Sequence, residues 1–179
     1  MKAPILKGKK VILKPLHISQ AENYFRWLKD EKVNKFLSAD FNDLNLKKET
    51  AYIKKSNKEK NSFRWAIYAK SGAHIGTTAL HDIEVKQNLK AIWGIFIGEK
   101  NYWGKGLGTD VLKTVLKFSF DKLKLNRVEL GVFPFNKRAI KCYKKCGFKK
   151  EGLHRQTINK NGKFVDIIIM SILKSDYKK

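Results

Sequence analysis

The densest chemical signal in the chain lies in NYWGKGLGTD, residues 101–110. Gly104, Gly106 and Gly108 alternate where a strand-like run hands over to a helical one, so backbone amides are left uncovered at the positive end of a helix dipole. Such a turn is an anion cradle, and Lys105 among the amides adds charge for a diphosphate. The spacing is Gly-x-Gly-x-Gly; a dinucleotide fold needs Gly-x-Gly-x-x-Gly near the start of a βαβ unit, and a nucleotide-hydrolase loop needs Gly-Lys-Ser/Thr after four intervening residues. Neither pattern is met. Tight strand-to-helix packing also asks for glycine, so the triplet alone leaves both readings open.

Other reactive side chains offer less. Cys142 and Cys146 are four apart in a helical pattern, which suits two reduced thiols better than a disulfide framework. His17, His74, His81 and His154 are scattered, so no metal site is expected. The net charge of +23, from 39 Lys+Arg against 16 Asp+Glu, attracts anions and repels polycations. Arg26, Arg64, Arg127, Arg138 and Arg155 are the only arginines, which argues against a base-reading nucleic-acid site. Contact with RNA or a ribosome is compatible with the charge and not required by it.

The elements that must position the glycine turn follow from periodicity. Residues 9–16 alternate as a strand; Ser19 stands at an N-cap position before a helix whose apolar face is Ala21, Tyr24, Phe25 and Leu28. A turn or short helix at 33–37 and a polar helix at 46–58 with few core residues come next. Strands at 63–69, 75–83 and 89–97, with turns at Gly72 and 85–88, form an antiparallel meander. Leu107, Val111, Val115 and Phe118 mark a helix, 126–133 a strand ended by Pro134, and Asn136 caps a helix reaching Cys146. Asn161-Gly162 turns a hairpin between 153–158 and 164–173. The order predicts one mixed α+β domain over residues 1–179, its core 8–176, with a mostly antiparallel sheet and helices on both faces. No apolar run is long enough for a spanning helix and the amino terminus does not read as a signal peptide, so a soluble cytoplasmic protein is expected.

Three segments occur together in this order: IFIGEKNYWGKGLGTDVL, LNRVELGVFPFNKRAIKCYKKCGFKKEG and NGKFVDIIIMSIL. On them the chain resembles the GNAT acetyltransferases, in particular the branch of ribosomal-protein N-terminal and spermidine acetyltransferases. The resemblance implies acetyl-coenzyme A as co-substrate, with its pyrophosphate on the amides of Trp103, Gly104, Lys105, Gly106, Leu107, Gly108 and Thr109. It implies that Ile95, Phe96 and Ile97 pair with the pantetheine arm and hold the thioester carbonyl, that the strands splay near Ile97 and Val132, and that the amine approaches over the first two helices. Asn136, with Ala139 behind it, would sit by the pantetheine arm, and Tyr143 would protonate the departing thiolate. Relatives often carry Gln or Arg at the position of Trp103, a change that backbone contacts tolerate. Relatives are also often dimers, so a homodimer is one assembly the resemblance implies.

Many relatives place a glutamate base where this chain has Ile92. The deprotonation cost at pH 7 is about 1 kcal/mol for an α-amine and about 4.6 kcal/mol for a lysine. The missing base therefore favours a protein amino terminus as acceptor, or a base among His81, Asp82, Glu84 and Glu99. Acetylation of a polyamine, aminoglycoside or amino sugar is the second reading, and would need an acidic pocket near Asp30, Glu31 or Asp40 to offset the global charge. A non-catalytic RNA- or ribosome-binding scaffold is the third.

Overall fold

A computed structural model describes residues 3–39, 41 and 43–177. Asp40 lies outside the described residues. Eight strands, β1 (Leu6–Lys7), β2 (Val11–Pro15), β3 (Phe63–Ala69), β4 (His74–Glu84), β5 (Lys90–Ile97), β6 (Arg127–Val132), β7 (Lys149–Lys160) and β8 (Lys163–Leu173), form one sheet in the order β1-β2-β3-β4-β5-β6-β8-β7. Every pairing is antiparallel except β5 with β6. The helices are α1 (Ala21–Lys29), α2 (Glu31–Asn34), α3 (Leu46–Ser56), α4 (Leu107–Asp121) and α5 (Lys137–Lys145). None is long and apolar enough to cross a membrane.

Strand alternation separates two apolar layers. Trp65 and Ile67 of β3 and Trp93 of β5 point to the side packed by Val111, Leu112, Val115 and Leu116 of α4 and Tyr143 of α5. Ala66 and Tyr68 of β3 and Phe96 of β5 point to the other side, where Tyr24, Trp27 and Leu28 of α1 meet Ile53 of α3. Helices thus cover both faces. Close packing of α1 requires Gly98, because a Cβ there would come within 2.1 Å of the Trp27 ring.

Local details depart from the periodicity in three places. Ser19 does not cap α1; it lies in a short 3-10 turn, Ile18–Gln20, capped by His17, whose ring nitrogen accepts from the Ser19 amide at 3.2 Å. Helix α1 itself starts after Gln20, which makes no side-chain cap bond, because the 3-10 turn runs directly into it. Trp27, rather than Phe25, completes the buried face of α1; Phe25 is half-buried beneath the Lys29 ammonium, 4.6 Å from the ring centre. Helix α3, polar by composition, buries Ile53 and Glu49. The remaining strands and helices fall within a few residues of their expected spans, and the Asn161-Gly162 turn joins two longer strands than expected.

His74 sits in an aromatic nest, its ring 4.8 Å from Trp27 and 5.2 Å from Tyr68. Its Nε2 lies 3.1 Å from the Gly76 carbonyl, and its Nδ1 lies 3.0 Å from the Asn23 amide nitrogen. These partners assign a neutral ring that donates from Nε2 and accepts at Nδ1. Burial draws its pKa down from 6.5 to about 4. A depressed histidine contributes stability that is complete above pH 6.5 and is lost as pH falls toward 4, because the unfolded chain takes up the proton first. Tm measured between pH 7 and pH 4 should fall by several degrees more in the native chain than in His74→Gln; parallel profiles would remove His74 as the cause.

Candidate active site

Strands β5 and β6 pair only at Lys90–Arg127, Ala91–Val128 and Ile92–Glu129. Past that point β5 follows β4, with Ile97 opposite Gly76, and β6 follows β8, with Val132 opposite Ile168. The two strands therefore part, and residues 93–97 lose their β6 neighbour. A continuous cavity of about 1000 Å³ occupies the opening. It runs from the turn after β5 to the space beneath α1 and α3.

At one end lies the glycine turn. Gly104 and Gly106 have φ of +76° and +77°, a conformation glycine adopts without strain. Gly106 is the N-cap of α4 and supplies no side chain to cover the first-turn amides. Among the described residues, the amides of residues 104–109 have no backbone acceptor. Such donors at a helix N-terminus fit a diphosphate. Trp103 staples the turn to β5 by donating from Nε1 to the Ile97 carbonyl at 2.7 Å, and the Arg138 guanidinium lies 4.2 Å over its ring.

The helix behind the turn is fixed by Asp110. Its carboxylate accepts from the amides of Lys9 at 3.2 Å, Lys10 at 2.7 Å and Val11 at 3.1 Å. The chain can pass this close because residue 8 is glycine; a Cβ there would lie 2.5 Å from an Asp110 oxygen. With its charge committed to these amides, Asp110 does not occupy the cradle.

Ile95, Phe96, Ile97, Trp103, Gly104, Gly106, Leu107, Gly108, Thr109, Asn136, Ala139 and Tyr143 all line the cavity. Lys105 does not line it: its ammonium lies 5.6 Å over the Tyr102 ring, and its carbonyl accepts from Lys10 Nζ at 3.1 Å. The side chain is drawn to an aromatic face within its own turn, leaving the cradle to backbone donors. Asn136 caps α5 by accepting from the Ala139 amide at 3.2 Å, which leaves its side-chain NH₂ available. Tyr143 is 9 % exposed, with its ring edge-on to Trp93 at 5.6 Å. Burial, with a smaller push from Cys142, raises its pKa, so the hydroxyl keeps its proton at neutral pH and can donate it.

Of the candidate bases, His81 alone lines the cavity, with Nδ1 2.9 Å from an Asp82 oxygen. Glu84 holds the β4–β5 turn through Asn88 at 2.7 Å, and Glu99 accepts from Trp27 Nε1 at 2.9 Å and from Arg26. Both carboxylates are committed to structure. Ile92 faces the cavity beside its register partner His81. Asp30 caps α2 and pairs with Lys100, and neither it nor Glu31 lines the cavity.

Three contributors escaped the sequence reading. Arg138 brings a cation to the cradle; helical periodicity placed it on α5 without saying which way it faced. Cys142 lies 3.2 Å from the Thr109 hydroxyl, and the hydrogen bond from Cys146 draws Cys142 below the usual thiol range. Glu49 lines the acceptor side although only 5 % exposed. Nothing in a polar helical stretch marks one glutamate as buried.

The model of the Acetyltransferase (GNAT) domain matches residues 10–149. "Probable N-acetyltransferase YjcK" of Bacillus subtilis is 29% identical, covering 96% of this chain and 98% of that protein. "Putative ribosomal N-acetyltransferase YdaF" of Bacillus subtilis is 30% identical over 60% of this chain and 57% of that protein. Among solved structures, the spermidine N-acetyltransferase of Vibrio cholerae in complex with CoA and spermine superposes with a TM-score of 0.85 at 22% identity, covering 94% of this chain and 98% of that one.

A side chain at residue 106 must leave the left-handed region or pay about 1–2 kcal/mol to stay there. Gly106→Val should therefore weaken coenzyme A binding about tenfold or more by calorimetry, with the far-ultraviolet circular dichroism unchanged. Unaltered affinity would dissociate the glycine turn from the ligand.

Proposed function

Because this chain belongs to the GNAT acetyltransferase family, whose members take the acyl group from acetyl-coenzyme A, we propose that the acceptor is the amino terminus of a protein, such as a ribosomal one. The observation that carries the reading is the make-up of the acceptor arm. Its walls are apolar and aromatic, with Leu16, Tyr24, Leu28, Val33, Phe36, Leu37, Phe41 and Leu44. Among the described lining residues Glu49 is the single carboxylate, and α3 and β3 add the cations Lys48 and Arg64 on this side. A polyamine carries several ammonium groups and would need several anionic partners to offset desolvation. One carboxylate in an apolar arm suits one ammonium followed by side chains.

Acetyl-coenzyme A supplies an activated acyl carbon, and the protein's work is to hold it, exclude water and manage two protons. The amides of residues 104–109 fit the diphosphate, with Arg138 close by. The edge of β5 released by β6 offers backbone donors and acceptors for the extended arm. Tyr143 keeps a proton available for a leaving thiolate, and its burial keeps bulk water from competing for that role. The incoming amine approaches from the α1 and α3 side, where Tyr24 stands against Phe96 at 5.5 Å.

Two measurements test this. Thiol release from acetyl-coenzyme A should be fastest with peptides bearing a free amino terminus, slower with spermidine and aminoglycosides, and absent with amino-terminally blocked peptides. A preference for spermidine would install the small-amine reading instead. Tyr143→Phe should lower kcat about 100-fold with coenzyme A affinity held within twofold; an unchanged kcat would take the acid role from this residue.

A further inference from the structure

The resemblance left the reaction without a base on the sheet, since Ile92 occupies that position. A carboxylate reaches the same cavity from the opposite wall. Glu49 is in the first turn of α3, 5 % exposed, and lines the acceptor arm. It makes no hydrogen bond or ion pair with any described residue. Desolvation disfavours its charge while the carboxylate opens to the cavity, and the neighbouring buried position of the same helix face carries Ile53. The helix dipole favours a carboxylate in this turn but does not require it to face a cavity.

Most of the charged and titratable groups around it are turned to other partners. From β3, Arg64 donates to Glu59 at 2.8 Å and to the Tyr52 hydroxyl at 3.2 Å. From α1, burial holds the Tyr24 hydroxyl protonated, and Thr77 beside it on β4 donates to the Trp65 carbonyl at 2.9 Å. From β4, His81 is turned to Asp82. Lys48 and Tyr52 flank Glu49 on α3 and line the arm with it. Among the described residues neither Lys48 nor Arg64 forms an ion pair with Glu49, which leaves the carboxylate open to a cation that arrives from outside.

We propose that Glu49 receives the ammonium of the acceptor and takes one of its protons before acetyl transfer. This deepens the amino-terminal reading above and rests on it. The acceptor R–NH₃⁺ and the carboxylate become R–NH₂ and a carboxylic acid. The nitrogen lone pair then forms the C–N bond to the acyl carbon as the C–S bond breaks. The sulfur leaves with the bonding pair and receives a proton from Tyr143; the second amine proton restores Tyr143, and Glu49 later releases its proton to solvent. The products are the amide, the thiol and one proton. Burial raises the Glu49 pKa, which makes it a stronger base than an exposed carboxylate while leaving it ionised only above the ordinary carboxylate range.

The test compares the native chain, Glu49→Gln and Glu49→Asp with a pentapeptide of free amino terminus beginning Ser-Ala, across pH 5.5 to 9.5, alongside calorimetry with coenzyme A. Glu49→Gln should lose about fivefold in kcat/KM at pH 7, the cost of an unassisted deprotonation of an α-amine, and keep coenzyme A affinity and Tm. Its deficit should shrink above pH 8, where the peptide amine is already neutral, and Glu49→Asp should restore part of the rate. A deficit equal at every pH, or none at all, overturns the base and leaves the acetyltransferase reading intact. A native chain that binds coenzyme A but leaves the peptide unmodified overturns the amino-terminal reading and the base with it. A native chain that does not bind coenzyme A fails earlier, at the cradle.

Discussion

The site exists because two adjacent parallel strands stop being neighbours. β5 and β6 share three register pairs and then each follows its other partner, β5 toward β4 and β6 toward β8. Buried main-chain N–H and C=O groups demand partners, so a sheet that opens in its middle needs a replacement for the lost ladder. An extended arm rich in amide groups is such a replacement. The fold in effect leaves one strand-shaped vacancy with hydrogen-bonding groups along one side and a helix dipole at its end.

Both helical layers follow from this opening. The α4 and α5 side furnishes rigidity and acid chemistry: its core mixes aliphatic side chains with Phe63, Trp65 and Phe120, and Trp93 meets Tyr143 edge-on within it. The α1 and α3 side is looser in composition, with aromatic rings, a neutral histidine and one isolated carboxylate. The long hairpin of β7 and β8 bridges the two, since Lys160 at its tip donates to the carbonyls of Asn34 and Leu37 at 3.2 and 2.8 Å. The acceptor arm is thereby roofed by segments far apart in the sequence.

What could be read in advance divides along physical lines. The strands from Phe63 to Ile97 and helix α4 were legible because alternation and three-four spacing are local properties of the chain. The glycine turn was legible because positive φ and bare amides restrict residue choice. The parting of the strands, by contrast, came only through family resemblance; pairing is a long-range property that no local pattern encodes. Lys105 was expected near the anion because its position is right, but a lysine's direction depends on which surface its stem finds, and Tyr102 was nearer. Glu49 stayed invisible for the complementary reason: burial of one polar residue in three helical turns is decided by what packs against it from elsewhere in the chain.

The clamp between Asp110 and the amides of residues 9–11 has a mechanical meaning. Strand β2 contributes no atom to the ligand cavity, yet it sets the axial position and tilt of α4 and so the aim of every donor in the glycine turn. The opening segment of the chain is in that sense a foundation for the phosphate end, coupled to it across about a hundred residues of sequence through one carboxylate and a missing methyl group at Gly8.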